Sequence, residues 1–236
     1  MDISKLALVF LGIFSCDYGQ QKHTQPKVVP AQQDPTAIVV QPPPSDPSPV
    51  VEEQLNAVEE KQLALVPSGK KVLIIGDSLA VGLSPELSKL LRKNGYTTAS
   101  HAKIGTNTVQ WLKWIKEDLA VHKPSLVIVS LGTNDAAANQ QWIERNKESF
   151  LKLIKQVESS GAKIMWIGPP EFDAKLLPRV PYVRDIIIGA APIFYDSRGF
   201  DIPRASDKIH STPAGYKAWA NDIWNWAVKM NIVESK

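Results

Sequence analysis

The chain has 236 residues, 44% of them hydrophobic, with 27 Lys and Arg against 24 Asp and Glu for a net charge of +3. That length holds one domain with a full core and a tail, or two small domains. The mild charge, with no dense basic cluster, argues against a nucleic-acid partner, and the single cysteine, Cys16, excludes an intrachain disulfide and argues against a cysteine-based zinc site.

Residues 1–16 read as a short export signal: Lys5, an apolar run from Leu6 to Phe14, then Ser15 and Cys16. The run is too short to span a bilayer. Ile13-Phe14-Ser15-Cys16 resembles a bacterial lipoprotein processing site, which implies acylation of Cys16 and a membrane anchor facing the periplasm or the cell exterior. Phe14 stands where that pattern has a small residue, so a non-lipidated export signal and a frayed N-terminus stay open. Residues 17–67 are expected to be a tether. Pro42-Pro43-Pro44 and Asp46-Pro47-Ser48-Pro49 mark a Pro/Gln-rich stretch with too little apolar surface to offset the entropy of ordering. Extended, it reaches on the order of 100 Å. A weak amphipathic helix is expected from Val51 to Leu65.

The folded domain is expected over 68–236. Val72-Leu73-Ile74-Ile75, bounded by Lys70-Lys71 and Gly76, reads as a strand buried on both faces, with Asp77-Ser78 just past its end. Ser84-Pro85-Glu86 carries a hydroxyl cap, a first-turn proline and an acid, which predict a helix from there to about Lys93. A second strand, about Tyr96 to Ala102, leads through Gly105 into a helix ending near Val121. The third strand, Leu126 to Val129, ends in Ser130-Leu131-Gly132-Thr133-Asn134-Asp135. A long helix, about Gln141 to Ser160, stops at Gly161. A fourth strand, Lys163 to Ile167, meets Gly168-Pro169-Pro170, an irregular stretch follows, and a fifth strand is expected at Pro192 to Asp196. After Asp207-Lys208-Ile209-His210 comes a closing helix, about Pro213 to Lys229. Alternating strands and helices predict a three-layer α/β/α sandwich with a parallel, flavodoxin-like sheet of about five strands. Its right-handed crossovers bring Ser78, Gly105 and Asn134 to one edge.

Four blocks in order now carry a resemblance: Gly76-Asp77-Ser78-Leu79, Gly105, Gly132-Thr133-Asn134-Asp135 and Asp207-Lys208-Ile209-His210. From about Lys70 to the C-terminus the chain resembles the SGNH hydrolase superfamily (GDSL esterases). The residue chemistry agrees. An alcohol needs a base, and His210 is the one histidine with an acid three residues earlier, so Ser78, His210 and Asp207 are the candidate nucleophile, base and orienting acid. The candidate oxyanion donors are the backbone N–H groups of Ser78 and Gly105 and the side-chain amide of Asn134. Asp77 and Asp135 are expected to bond nearby backbone N–H groups. His101 and His122 have no partner legible in the sequence.

Trp219, Ile223 and Trp226 fit a buried helix face. Trp111 and Trp114, with Pro169, Pro170 and Phe172, are candidates for lining the substrate cleft. The resemblance implies a serine esterase acting through an acyl-enzyme on small acyl esters, O-acetyl groups of envelope or extracellular glycans foremost, with no cofactor and no metal. An O-acetyltransferase, a lipase or thioesterase of the same fold, and a non-catalytic glycan-binding lipoprotein are the alternatives.

Overall fold

The computed structural model describes residues 70–236; the export segment, Cys16 and the tether with its helix lie outside them. The first strand, β1 (Lys71–Gly76), runs into α1 (Ser78–Lys93) with only Asp77 between. Then come β2 (Thr97–Ala102), α2 (Thr108–His122) and β3 (Leu126–Ser130). Three helices follow: α3 (Thr133–Ala137), α4 (Gln140–Asn146) and α5 (Glu148–Glu158). After β4 (Lys163–Ile167) come α6 (Val180–Ala190), the short β5 (Phe194–Tyr195) and α7 (Pro213–Lys229). All the strands pair in parallel, in the order β2-β1-β3-β4-β5, so the expected three-layer sandwich with flavodoxin-like order is the observed fold.

The continuous apolar runs work because each strand faces two cores. Val72 and Ile74 of β1, Leu126 and Ile128 of β3 and Met165 of β4 point to the side covered by α1 and α7. Leu73, Ile75, Val127, Val129, Ile164 and Trp166 point to the other, beneath α2, α5 and α6. Successive side chains of a strand alternate faces, so a run without polar interruption is what two covered faces require. Each such buried aliphatic side chain contributes about 1.5–3 kcal/mol relative to exposure. Trp219 and Ile223 of α7 are buried in the first core and Trp226 packs against its edge, as the helical spacing predicts.

Three expectations are corrected. The first helix starts at Ser78, six residues before Ser84, because Asp77 caps it by accepting the Leu79 N–H at 2.9 Å. Pro85 therefore sits inside the helix, and Ser84 is no cap: its hydroxyl accepts from Ser100 of β2 at 2.9 Å. The predicted long helix is two, because the hydrogen-bond ladder is interrupted at Lys147, although that residue keeps helical backbone angles. The stretch read as irregular contains α6, whose Pro181 lies in the first turn, where no N–H is needed.

The chain moves from β1 outward to β2 and then returns to the other side of β1 at β3. That reversal opens a crevice beyond the carboxyl ends of β1 and β3, the place where open α/β sheets bind ligands. Ser78 follows β1 directly, and Asn134 lies just after β3.

Candidate active site

Ser78 is the first residue of α1, held by two features of the preceding turn. Asp77 donates its N–H to the Ser130 carbonyl of β3 at 3.1 Å, and Gly76 accepts from the Lys103 N–H at 2.9 Å, so the turn is tied to both neighbouring strands. A side chain at residue 76 would drive its Cβ to 2.2 Å from the Ser130 carbonyl oxygen and 2.5 Å from Ala80 Cβ. Only glycine lets strand, turn and helix pack this closely. The Ser78 N–H, in the first turn, has no intrahelical acceptor.

His210 lies across the edge on the loop before α7. Its Nε2 is 2.8 Å from Ser78 Oγ, and its Nδ1 is 2.6 Å from Asp207 Oδ2. The other Asp207 oxygen accepts the N–H groups of Ile209 and His210, both at 2.9 Å. Those bonds, led by the one from His210, hold the Asp207 carboxyl down at about 2. An ionised Asp207 makes Nδ1 the protonated ring nitrogen, which leaves the Nε2 lone pair for the serine hydroxyl. Residues 132 positions apart in sequence thus share one proton relay.

The oxyanion candidates converge on the same edge. Asn134 is half-buried in α3 and donates one amide hydrogen to the Thr106 carbonyl at 2.9 Å, which orients the amide and leaves its second hydrogen available. Gly105 sits in an exposed turn at φ 74°, with nothing within 4 Å of where a Cβ would point. Its glycine is required by the left-handed backbone and not by close packing.

Behind these donors lies a buried pair of carboxylates. Asp135 accepts the N–H and the hydroxyl of Thr108, each at 3.2 Å, and so fastens the Gly105 loop to the Asn134 turn. Asp77 is fully buried, and its Oδ2 has no partner among the described residues. Burial pushes Asp77 up to about 7 and Asp135 up to about 6. Asp77 bonds the neighbouring Leu79 N–H as expected, whereas Asp135 bonds the Thr108 N–H, 27 positions away in sequence.

A raised folded-state value means that the native protein holds this proton where the unfolded chain has released it. Asp77 therefore favours the folded state fully below its ordinary 3.8, and that contribution disappears as pH rises toward 7. Asp77→Asn keeps the cap acceptor and removes the titration. Its stability is expected to match wild type near pH 4 and exceed it near pH 8, by a margin on the order of a few kcal/mol. Urea unfolding across that range checks this, and parallel profiles for the two proteins would contradict it.

The cleft-lining expectations are largely corrected. Trp111 is 0% exposed and bonds Thr106 Oγ1 through its indole N–H at 3.0 Å, so it belongs to the core beneath the Gly105 loop. Trp114 packs edge-on against it, beneath the Lys103 ammonium. Pro169 and Pro170 are buried, their carbonyls facing Arg184 of α6 instead of solvent. Here α6 covers both prolines through Arg184. Phe172 does line a cleft, an open one of about 640 Å³ shared with Phe200, Arg198, Arg204 and Lys208, alongside the His210 loop.

His101 does have a partner, Asp118 of α2 at 2.8 Å, and packs edge-on against Trp111. Arg184 and Arg204 went unread in the sequence. Arg184 left one signal, a lone cation among Val180, Val183 and Ile187 at helical spacing; Arg204 left none.

A family model described as a protein of unknown function (DUF459) matches residues 71–188, half of the chain; it includes Ser78, Gly105 and Asn134 and stops short of Asp207 and His210. No curated protein matches the sequence significantly. Among solved structures, the chain is similar to a catalytic mutant of an acetylxylan esterase from Geobacillus stearothermophilus, at 16% identity and a TM-score of 0.59, over 73% of this chain and 99% of that one. It is similar to a lipase/acylhydrolase from Enterococcus faecalis at 19% identity and a TM-score of 0.57, over 71% and 100%. The psychrotrophic esterase EstA from Pseudoalteromonas sp. aligns at 15% identity and a TM-score of 0.56, over 68% and 97%. The chain belongs to the DUF459 family and has the fold of the SGNH hydrolases.

Proposed function

We propose that this protein is a serine ester hydrolase that removes small acyl groups, acetyl foremost, from glycans of the cell envelope or extracellular space. The observation that carries the reading is the unbroken relay from Ser78 Oγ through the His210 ring to Asp207, at 2.8 and 2.6 Å. In this reading Ser78 Oγ attacks the ester carbonyl while His210 Nε2 takes its proton. The imidazolium, steadied by Asp207, then protonates the departing alcohol. Water attacks the resulting acyl-serine, with His210 again accepting the proton; the acyl–Oγ bond then breaks, Ser78 Oγ takes that proton back and the acid leaves. The Ser78 and Gly105 N–H groups and the Asn134 amide stabilise the tetrahedral oxyanion, each donor being worth about 2.7–4 kcal/mol in the barrier.

The preference for acetyl esters of glycans is supported by likeness of fold to an acetylxylan esterase and by the cleft beside His210, which has room for the alcohol part of a large ester. Export, and a lipid anchor on Cys16 with residues 17–67 as tether, complete the proposal, on the strength of the N-terminal sequence. An ester series from acetyl to long-chain acyl tests the chemistry, with turnover expected to be greatest for acetyl. A maximum at long chains would redirect the reading to a lipase, and acetyl transfer to a glycan outpacing acetate release would redirect it to a transferase. Absence of turnover on every ester would remove the hydrolase and leave a glycan-binding role. Mass spectrometry of the membrane-extracted protein is expected to find acyl chains on Cys16, and an unmodified N-terminus elsewhere would refute the anchor.

A further inference from the structure

The loop that carries His210 is closed mostly on itself. Ala205 N–H donates to the His210 carbonyl at 2.8 Å, Lys208 N–H to the Ala205 carbonyl at 3.0 Å, and Thr212 N–H to the Pro203 carbonyl at 3.0 Å. Arg204 pairs with Ser211 in an isolated antiparallel bridge. Asp207 folds back on its own Ile209 and His210 amides. None of these bonds fixes where the loop sits over the sheet. Among the described residues, two hydrogen bonds tie the segment 203–212 to residues just past the ends of other strands. One is the His210 to Ser78 contact itself, and the other is made by Arg204.

Arg204 is half-buried and spans the gap with two groups. Its Nη1 donates to the Ile209 carbonyl at 2.7 Å, immediately before His210. Its Nη2 donates to the Glu171 carbonyl at 3.1 Å, on the loop after β4. The guanidinium lies 4.7 Å from the centre of the Phe172 ring. That β4 loop is itself immobilised from below. Arg184, only 2% exposed, donates to the Pro169 and Pro170 carbonyls at 3.0 and 3.2 Å and pairs with Glu171 at 2.8 Å. A chain of fixed contacts thus runs from α6 through Arg184, the Pro169–Glu171 backbone and Arg204 to the peptide preceding the imidazole. Among the described residues Arg204 makes no carboxylate pair, so its side chain serves geometry: a planar fork that reaches two carbonyls at once, which a lysine cannot reproduce.

We propose that Arg204 is a positioning residue for the active site: it sets the height and tilt of His210 over Ser78 by clamping the Ile209 carbonyl to the β4 loop. The inference rests on the hydrolase reading for its kinetic arm only. A displacement of about 1 Å in such a relay costs on the order of 100-fold in rate. Arg204→Met is therefore expected to lower kcat by about 10- to 100-fold on a small acetyl ester, whose alcohol part does not reach the cleft that Arg204 lines, while KM moves by less than about twofold, because the lost contacts position the base. Arg204→Lys, with one donor able to reach one carbonyl, is expected to recover part of that loss.

A second readout is independent of turnover. The His210 Nδ1 proton held by Asp207 is expected to give a low-field proton NMR resonance, assigned by its absence in His210→Gln. Arg204→Met is expected to broaden or shift that resonance, with Arg204→Lys intermediate. Should Arg204→Met fail to fold, the lysine variant carries both measurements. An unchanged kcat in a folded variant, or a lowered melting temperature with kcat and the resonance intact, would overturn the positioning role and leave a structural clamp. If wild type hydrolyses no ester, the resonance alone decides, so the failure of the hydrolase reading and of this one are told apart.

Discussion

Ser78→Ala is expected to lower ester turnover by about 10⁴- to 10⁶-fold while leaving the fold and its melting temperature essentially unchanged. The activity falls because, among the described residues, Ser78 carries the hydroxyl that hydrogen-bonds His210 Nε2. The fold survives for three reasons. Asp77, not Ser78, caps α1. Alanine is well suited to a first helical turn. His210 keeps 40% of its side chain exposed, so water replaces the lost partner. A steady-state assay on a soluble acetyl ester, beside a thermal melt, makes the measurement. Turnover by the alanine variant within about tenfold of wild type would remove Ser78 as nucleophile, since a residue acting only through binding loses far less.

Asp207→Asn is the second large effect. The carboxylate both fixes the Nδ1 proton and stabilises the imidazolium, and asparagine can present its amide instead of an acceptor to Nδ1, favouring the wrong tautomer. Because Asp207 and His210 are partly open to water, the loss is expected to fall short of that in a buried dyad, at about 10²- to 10⁴-fold in kcat. The pH dependence separates the groups. Asp207, held at about 2, stays ionised throughout the working range, so its contribution is present above the ordinary aspartate value and fails only as pH drops toward 2. Asp207→Asn is expected to lower kcat across the whole pH profile. A profile of unchanged height would place Asp207 outside the reaction.

The sequence was most legible where chemistry and periodicity coincide. Leu73 and Ile75 beside Val72 and Ile74 could be read as a doubly covered strand because no polar residue interrupts them, and the structure sends the two pairs into separate cores. The closing helix, expected at about Pro213 to Lys229, spans those residues, and the structure shows Thr212 as its cap ahead of a first-turn proline. The start of α1 was misread because Ser84-Pro85-Glu86 offers stronger local helix-start chemistry than Asp77, and the cap that won is the one tied to β3 through the Ser130 carbonyl. Helix α6 was hidden by Pro178 and Pro181 flanking its start, although Val180, Val183 and Ile187 held the helical spacing. Trp111 looked like a cleft residue from its nearness to Gly105 in sequence. Its position on the inward face of α2 is a property of packing, which spacing from a glycine does not encode.

By itself the sequence determined the alternation of strands and helices and the residue types at each turn, because both follow from local periodicity and backbone chemistry. It supplied a serine, a histidine with an acid three residues earlier, a glycine and an asparagine, each at a strand or loop end. Only the tertiary structure decided that these groups meet at 2.8 and 2.6 Å, that Asp135 fastens two of their loops together, and that Arg204 bridges the loop of His210 to the turn after β4. The physical reason is range. Caps, turns and strand runs are settled within a few residues, whereas distances across the sheet edge depend on strand order, on the closeness permitted by Gly76, and on buried side chains such as Arg184 whose partners lie many positions away.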